Sequence, residues 1–156
     1  MCRLAVAGDH GFIAEMAAEF NLFGNFVPVF LNMLHQNHPI GFGVGQDVEL
    51  FIHEDGMGNP DGFAAIDWRV GGIADLHGIA VRKESRRLGV ARQLLEHVVQ
   101  AALARGTTVL RSLTAHVDNP AALGFFINNG FELVGVAGNY PNGQVAVSLV
   151  RNLGQR

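Results

Sequence analysis

Cysteine is almost missing from this chain. Cys2 is the only one in 156 residues, so no internal disulfide and no thiolate metal site can be built, and a reducing compartment fits best. Tyrosine and tryptophan occur once each, as Tyr140 and Trp68. Charge is sparse as well: 16% of residues are charged against 49% hydrophobic, a balance too apolar for disorder. The formal charge of −3 offers nucleic acid no general attraction. Long apolar runs are absent too. The most apolar stretch, Phe20 to Leu34, is broken by Asn21, Gly24, Asn25, Pro28 and Asn32, so it cannot give the roughly 20 continuous apolar residues that a bilayer requires. Met1 to Asp9 has too short an apolar run for a signal peptide. A soluble cytoplasmic domain spanning residues 1–156 is expected, with neither nucleic acid nor membrane as a partner.

Two tempting motifs are incomplete. Gly41, Gly43 and Gly45 lack the spacing of the dinucleotide fingerprint, and no Gly-x-x-x-x-Gly-Lys-Ser/Thr exists for a P-loop. His35 and His38 lack the i, i+4 spacing and the glutamate of the helical zinc motif. No metal is expected.

The elements alternate. Arg3 to Val6 reads as a strand, and Asp9 as the cap of a helix with Phe12, Ile13, Met16, Ala17 and Phe20 on one face. Residues 22–40 read as a second, Phe-rich helical region. Val48 to His53 and Gly62 to Trp68 form a hairpin across turn formers, and Ala74 to Val81 is the next strand. Val90, Ala91, Leu94, Leu95, Val98, Val99 and Ala102 recur at the spacing of a buried helical stripe that Gly106 ends. A strand over Thr108 to Ala115 precedes Asn119-Pro120, an N-cap with proline at the first helical position. Asn129-Gly130 stops that helix. Phe131 to Val136 and Gln144 to Arg151 are final strands.

Basic residues concentrate at one turn. Arg82, Lys83, Arg86, Arg87 and Arg92 are five of the chain's eleven Lys and Arg residues, and they sit between a strand end, Ile79-Ala80-Val81, and a helix start. A helix's first turn carries unpaired N–H groups and the positive end of its dipole, so it can hold a pyrophosphate. Gly89 permits close backbone approach, and Arg86, Arg87 and Arg92 can add charge-assisted hydrogen bonds.

Arg86-Arg87-Leu88-Gly89-Val90-Ala91 resembles the Gln/Arg-x-x-Gly-x-Gly/Ala signature of the GNAT acetyltransferases. Downstream, Asn119-x-x-Ala122-x-x-x-Phe126-x-x-x-Gly130-Phe131 is similar to a second stretch of that family. The resemblance implies an α/β fold: a mixed, mostly antiparallel sheet of six to seven strands flanked by about four helices, with one parallel crossover after Val81. It implies acetyl-CoA, or a related acyl-CoA, as cosubstrate, with Ile79, Ala80, Val81, Arg86, Arg87, Leu88, Gly89, Val90, Ala91, Arg92, Asn119 and Phe126 in its site. The implied reaction is direct attack by an amine of a small molecule, peptide or protein on the thioester, with backbone N–H groups stabilising the oxyanion. A homodimer is compatible with this reading.

The resemblance breaks at Phe126, where the family often has a tyrosine that protonates the departing thiolate. Tyr140 is the substitute candidate. For the base, strand alternation puts Asp75, His77, Ile79 and Val81 on one face. Asp75 aligns with a glutamate base of histone-type members, and a histidine's ordinary pKa of about 6.5 suits His77. The competing reading is a non-catalytic acyl-CoA-binding regulatory or interaction module; a nucleotide-phosphate binder using the Arg86 to Arg92 turn is a further one.

Overall fold

The computed structural model describes residues 1–20, 47–116, 119–139 and 145–154. The helical region expected over 22–40, His35 and His38, the Gly41 to Gly45 loop and Tyr140 lie outside the described residues.

Seven strands form one sheet: β1 Cys2–Leu4, β2 Asp47–Glu54, β3 Pro60–Arg69, β4 Ile73–Val81, β5 Val109–His116, β6 Glu132–Asn139 and β7 Val145–Asn152. Their spatial order is β1-β2-β3-β4-β5-β7-β6. Every neighbouring pair is antiparallel except β4 with β5, which is parallel. That exception follows from the connection, because α2, Val90–Ala104, carries the chain back across the sheet between them. The other described α-helices are α1, His10–Phe20, and α3, Pro120–Asn128. None of the described helices is long and apolar enough to cross a membrane.

Each face of the sheet buries its own cluster. On one, Leu94, Leu95 and Val98 of α2 and Phe126 of α3 pack on Ala64, Ile66, Ala74, Leu76, Leu110 and Leu149. On the other, Ile13, Met16 and Ala17 of α1 cover Leu50, Ile52, Phe63, Ala65 and Ala80. Period-2 alternation along β3 explains the division, since Ala64, Ile66 and Trp68 join the first cluster and Phe63 and Ala65 the second. A Cβ on Gly62 would come within 3.0 Å of Val90 and 3.1 Å of both Leu94 and the Ala80 carbonyl. Glycine there lets the first turn of α2 sit directly against β3, and the groove described below depends on that placement.

Local signals stop the helices where the sequence indicates. Gly106 takes φ 74° past the end of α2, and Gly130 takes φ 83° past α3, as left-handed C-terminal caps. The Asn119 side chain accepts from the Ala122 N–H at 3.1 Å, with Pro120 at the first helical position. Asp9, in contrast, does not cap α1. Its carboxylate receives Arg3 at 2.7 and 3.0 Å and the Val6 N–H at 2.8 Å. A 3-10 turn, Ala7–Asp9, leads into the helix instead. The half-exposed Arg3 guanidinium takes the buried Asp9 carboxylate in place of the helix amides because a charge-assisted pair is the stronger bond.

Candidate functional site

The parallel ladder between β4 and β5 is short. It runs from Ile73 opposite Val109 to Leu76 opposite Ser112, whereas β4 continues to Val81 and β5 to His116. Beyond Leu76 the strands part and leave the β5-facing edge of residues 78–81 unpaired in the sheet. An extended ligand carrying amides can pair with such an edge as a strand would.

A groove of roughly 770 Å³ opens there, well within the size range of small-molecule sites. Its walls are Gly78, Ile79, Ala80 and Val81 of β4, Ser85, Arg86, Arg87 and Gly89 of the following turn, Val90, Ala91 and Arg92 of α2, and Ala121, Ala122, Phe125 and Phe126 of α3 with its flanking Asn119 and Asn129. The two sequence motifs, some thirty residues apart, therefore face each other across one cavity. Leu88 is the member of the first motif that does not line it; its side chain is 70% exposed.

The turn between β4 and α2 owes its shape to its backbone. Arg87 has φ 65° and Gly89 φ 84°, both in the left-handed region, and no side chain caps α2. The first intrahelical bond is Gln93 N–H to the Gly89 carbonyl at 3.0 Å, so the N–H groups before it are directed out of the helix end. A Cβ on Gly89 would meet no protein atom within 4 Å. Glycine is required there for its backbone angle and not by crowding within the protein.

The arginines have different tasks. Arg86 Nε donates to the Val81 carbonyl at 3.2 Å and ties the turn to the strand end. Arg92 pairs with Glu96 one helical turn on, at 3.3 Å. Arg82 lies 4.9 Å over the Phe12 ring and pairs with Glu15 at 3.4 Å. Arg87 is exposed at the groove with no ion pair among the described residues. Phe126 is 7% exposed, stacked edge-on against Phe125 at 5.4 Å and Phe131 at 5.1 Å. It serves the core and the groove together.

The strand alternation expected for Asp75, His77, Ile79 and Val81 is broken. Opposite β3, Ala65 pairs with Gly78 but Ile66 pairs with Leu76, which makes His77 the extra residue of a β-bulge. Facing therefore reverses at that point: Ala74 and Leu76 before it and Ile79 and Val81 after it all pack with the α2 cluster, and Ala80 packs with α1. Asp75 consequently lies on the α1 face, away from Ile79 and Val81. Bulges commonly re-aim side chains beside active sites.

Asp75 is 2% exposed and fully engaged. Arg111 of β5 donates from Nε to Oδ1 at 2.6 Å and from Nη2 to Oδ2 at 2.8 Å. Arg69 of β3 adds Nε to Oδ2 at 3.0 Å. The Asp75 carboxylate raises the pKa of Arg111 above its ordinary value, against the opposing effect of burial. Asp67, opposite Asp75 on β3, is fully buried. Its Oδ2 takes Arg69 Nη2 at 2.9 Å and stands 3.5 Å from His77 Nε2. Its Oδ1 has no partner among the described residues. Sequence reading missed Asp67, Arg69 and Arg111. An aspartate flanked by Ile66 and Trp68 in an otherwise apolar strand was the available signal.

Residues 9–131 match the model of the acetyltransferase (GNAT) family. The chain belongs to that family. Its fold is shared by solved structures of low sequence identity. A GNAT-family chain from Desulfovibrio desulfuricans is 19% identical, with 99% of each chain covered and a TM-score of 0.77. YncA from Salmonella typhimurium, whose structure holds its cofactor acetyl-CoA, is 16% identical over 100% of this chain and 95% of its own, at 0.75. An N-acetyltransferase from Staphylococcus aureus is 18% identical over 99% and 98%, at 0.73. No curated protein matches the chain. As in the fold expected of a GNAT chain, the sheet is mixed and mostly antiparallel, with the crossover after β4 parallel.

Proposed function

We propose that this GNAT chain is an N-acetyltransferase that takes its acetyl group from acetyl-CoA and delivers it to an acceptor amine by direct attack. The observation that carries the reading is the groove, in which a helix end with outward N–H groups stands beside an unpaired strand edge. Those features suit a long ligand with a pyrophosphate at one end and amides along its length. The N-terminal turn of α2 and Arg87 would hold the pyrophosphate, and the backbone of Ile79 to Val81 the pantetheine amides. Acetyl-CoA, when bound, supplies an activated acyl carbon at the thioester.

The chain's own residues then have to remove a proton from the amine. Asp75 is a poor candidate, because both of its oxygens already accept from guanidinium groups. His77 is the better base. It sits on the bulge next to Gly78, which lines the groove, and its side chain is 19% exposed. The Asp67 carboxylate beside it would stabilise the imidazolium once the proton arrives. Thiol release from acetyl-CoA, measured across amines, amino acids, polyamines, aminoglycosides and peptides, tests the reading; acceptor-dependent release is expected.

One observation favours a second reading, a non-catalytic acyl-CoA-binding module. Phe126 occupies the groove where a proton-donating tyrosine would serve the thiolate. Calorimetric binding of acetyl-CoA without thiol release on any acceptor would select it.

A further inference from the structure

The cluster on the α1 face does more than hold a base. Asp67 and Asp75 are buried, but Arg69 and Arg111, which neutralise them, keep 34% and 35% of their side chains exposed. Their bonds to the aspartates are made through Nε and Nη2. Among the described residues neither Nη1 is engaged. Two guanidinium ends that are fixed in place by buried carboxylates and still reach solvent make a preorganised receptor for a planar anion.

Two relations fix the chemistry of what binds. Asp67 Oδ2 is touched by Arg69 Nη2 at 2.9 Å and by His77 Nε2 at 3.5 Å, so the Arg69 guanidinium and the His77 ring stand side by side about a single oxygen atom. Two groups set so close together suit a ligand whose carboxylate and amine are joined through one carbon, as in an α-amino acid. Charge is the second relation. Two aspartates balance two arginines in this cluster, and a balanced site gains most from a ligand whose own charges cancel, because a dianion would add net charge in a partly desolvated place.

We infer that the acceptor is an α-amino-acid zwitterion, with its carboxylate on the outward ends of Arg69 and Arg111 and its amine at His77. This rests on the acetyltransferase reading and names its substrate class. The ammonium gives one proton to His77, the freed nitrogen bonds to the acetyl carbon, and the carbon–sulfur bond breaks. The thiolate leaves with a proton lost by the nitrogen or taken from water.

The experiment measures acetyl-CoA thiol release with the common α-amino acids, their carboxamides, the corresponding decarboxylated amines and phosphoethanolamine. It is run on the native chain and on Arg69→Gln and Arg111→Lys, with thermal unfolding and calorimetric acetyl-CoA affinity recorded alongside. At least one free acid is expected to exceed its carboxamide by tenfold or more in kcat/KM. In the folded variants that preference should collapse through a raised KM while acetyl-CoA affinity is kept. Equal or better use of carboxamides, amines or phosphoethanolamine overturns the inference, as does turnover with no member of the panel. An acid preference that survives both substitutions overturns the placement on Arg69 and Arg111. Loss of acetyl-CoA binding in the native chain would overturn the underlying reading instead. The comparison of acid with carboxamide on the native chain needs no variant to fold.

Discussion

Asp75 on β4 and Arg111 on β5 are 36 residues apart in sequence and joined side-on by hydrogen bonds of 2.6 and 2.8 Å. They are direct neighbours in the one parallel ladder of the sheet. The pair lies one residue short of the point where that ladder ends and the groove begins. This residue pair thus fastens the two strands together just before they diverge.

Asp75 should therefore matter for stability and His77 for rate. Asp75→Asn leaves Arg111 and Arg69 without their shared carboxylate and should cost about 3 kcal/mol or more, read from denaturant unfolding. His77→Gln, at a half-buried bulge position, should unfold nearly as the native chain does and slow acetyl transfer by about 10² to 10⁴. A fast His77→Gln enzyme would remove His77 from the mechanism.

Gly89 and Gly106 bracket α2 with similar backbone angles, φ 84° and 74°, but only Gly89 borders the groove. Gly89→Val forces a β-branched residue into left-handed backbone at the turn that opens α2. It should weaken acetyl-CoA binding by more than tenfold, about 1.4 kcal/mol. Gly106→Val should lower the melting temperature while calorimetric affinity for acetyl-CoA stays within twofold, roughly 0.4 kcal/mol.

Phe126→Tyr places a hydroxyl on a ring that lines the groove. If no side chain protonates the thiolate in the native chain, this substitution should speed acetyl transfer under chemistry-limited conditions, with acetyl-CoA affinity little changed. If Tyr140 is the donor, Tyr140→Phe slows the reaction and Phe126→Tyr leaves it unaltered. An unchanged rate in both variants shows that acid catalysis at sulfur is not limiting.

Arg3 holds the Asp9 carboxyl below the ordinary value of 3.8, and the Val6 N–H adds to that effect against burial. A depressed carboxyl contributes stability that is fully present above its unfolded value and lost as pH falls through its folded one. Acid titration of the folded chain should thus show a loss of stability below about pH 4. Asp9→Asn should remove part of that dependence and lower stability at neutral pH. Parallel acid-unfolding curves for the two proteins would contradict this assignment.

Much of the architecture was legible because the signals are local. Asn119-Pro120 dictates a helix start through φ and a side-chain acceptor. Gly106 and Gly130 mark stops because only glycine tolerates their backbone angle without strain, and the apolar stripe from Val90 to Ala102 marks the buried side of α2. The residue types along Arg86 to Ala91 were enough to mark a turn between a strand end and a helix start.

Tertiary structure decided how those pieces act on one another. A bulge depends on the register of two strands, and nothing in the residues around His77 announces that β3 will skip it. Period-2 alternation read locally therefore put Asp75 with Ile79 and Val81, when the extra residue had placed it on the opposite face. The engagement of Asp75 was hidden for a similar reason: its guanidinium partners come from β3 and β5, and only the folded sheet brings them to it. The sequence determined which groups are present and in what order along the chain. Long-range strand pairing determined which carboxylate is neutralised, which histidine sits on the bulge, and which guanidinium ends face solvent.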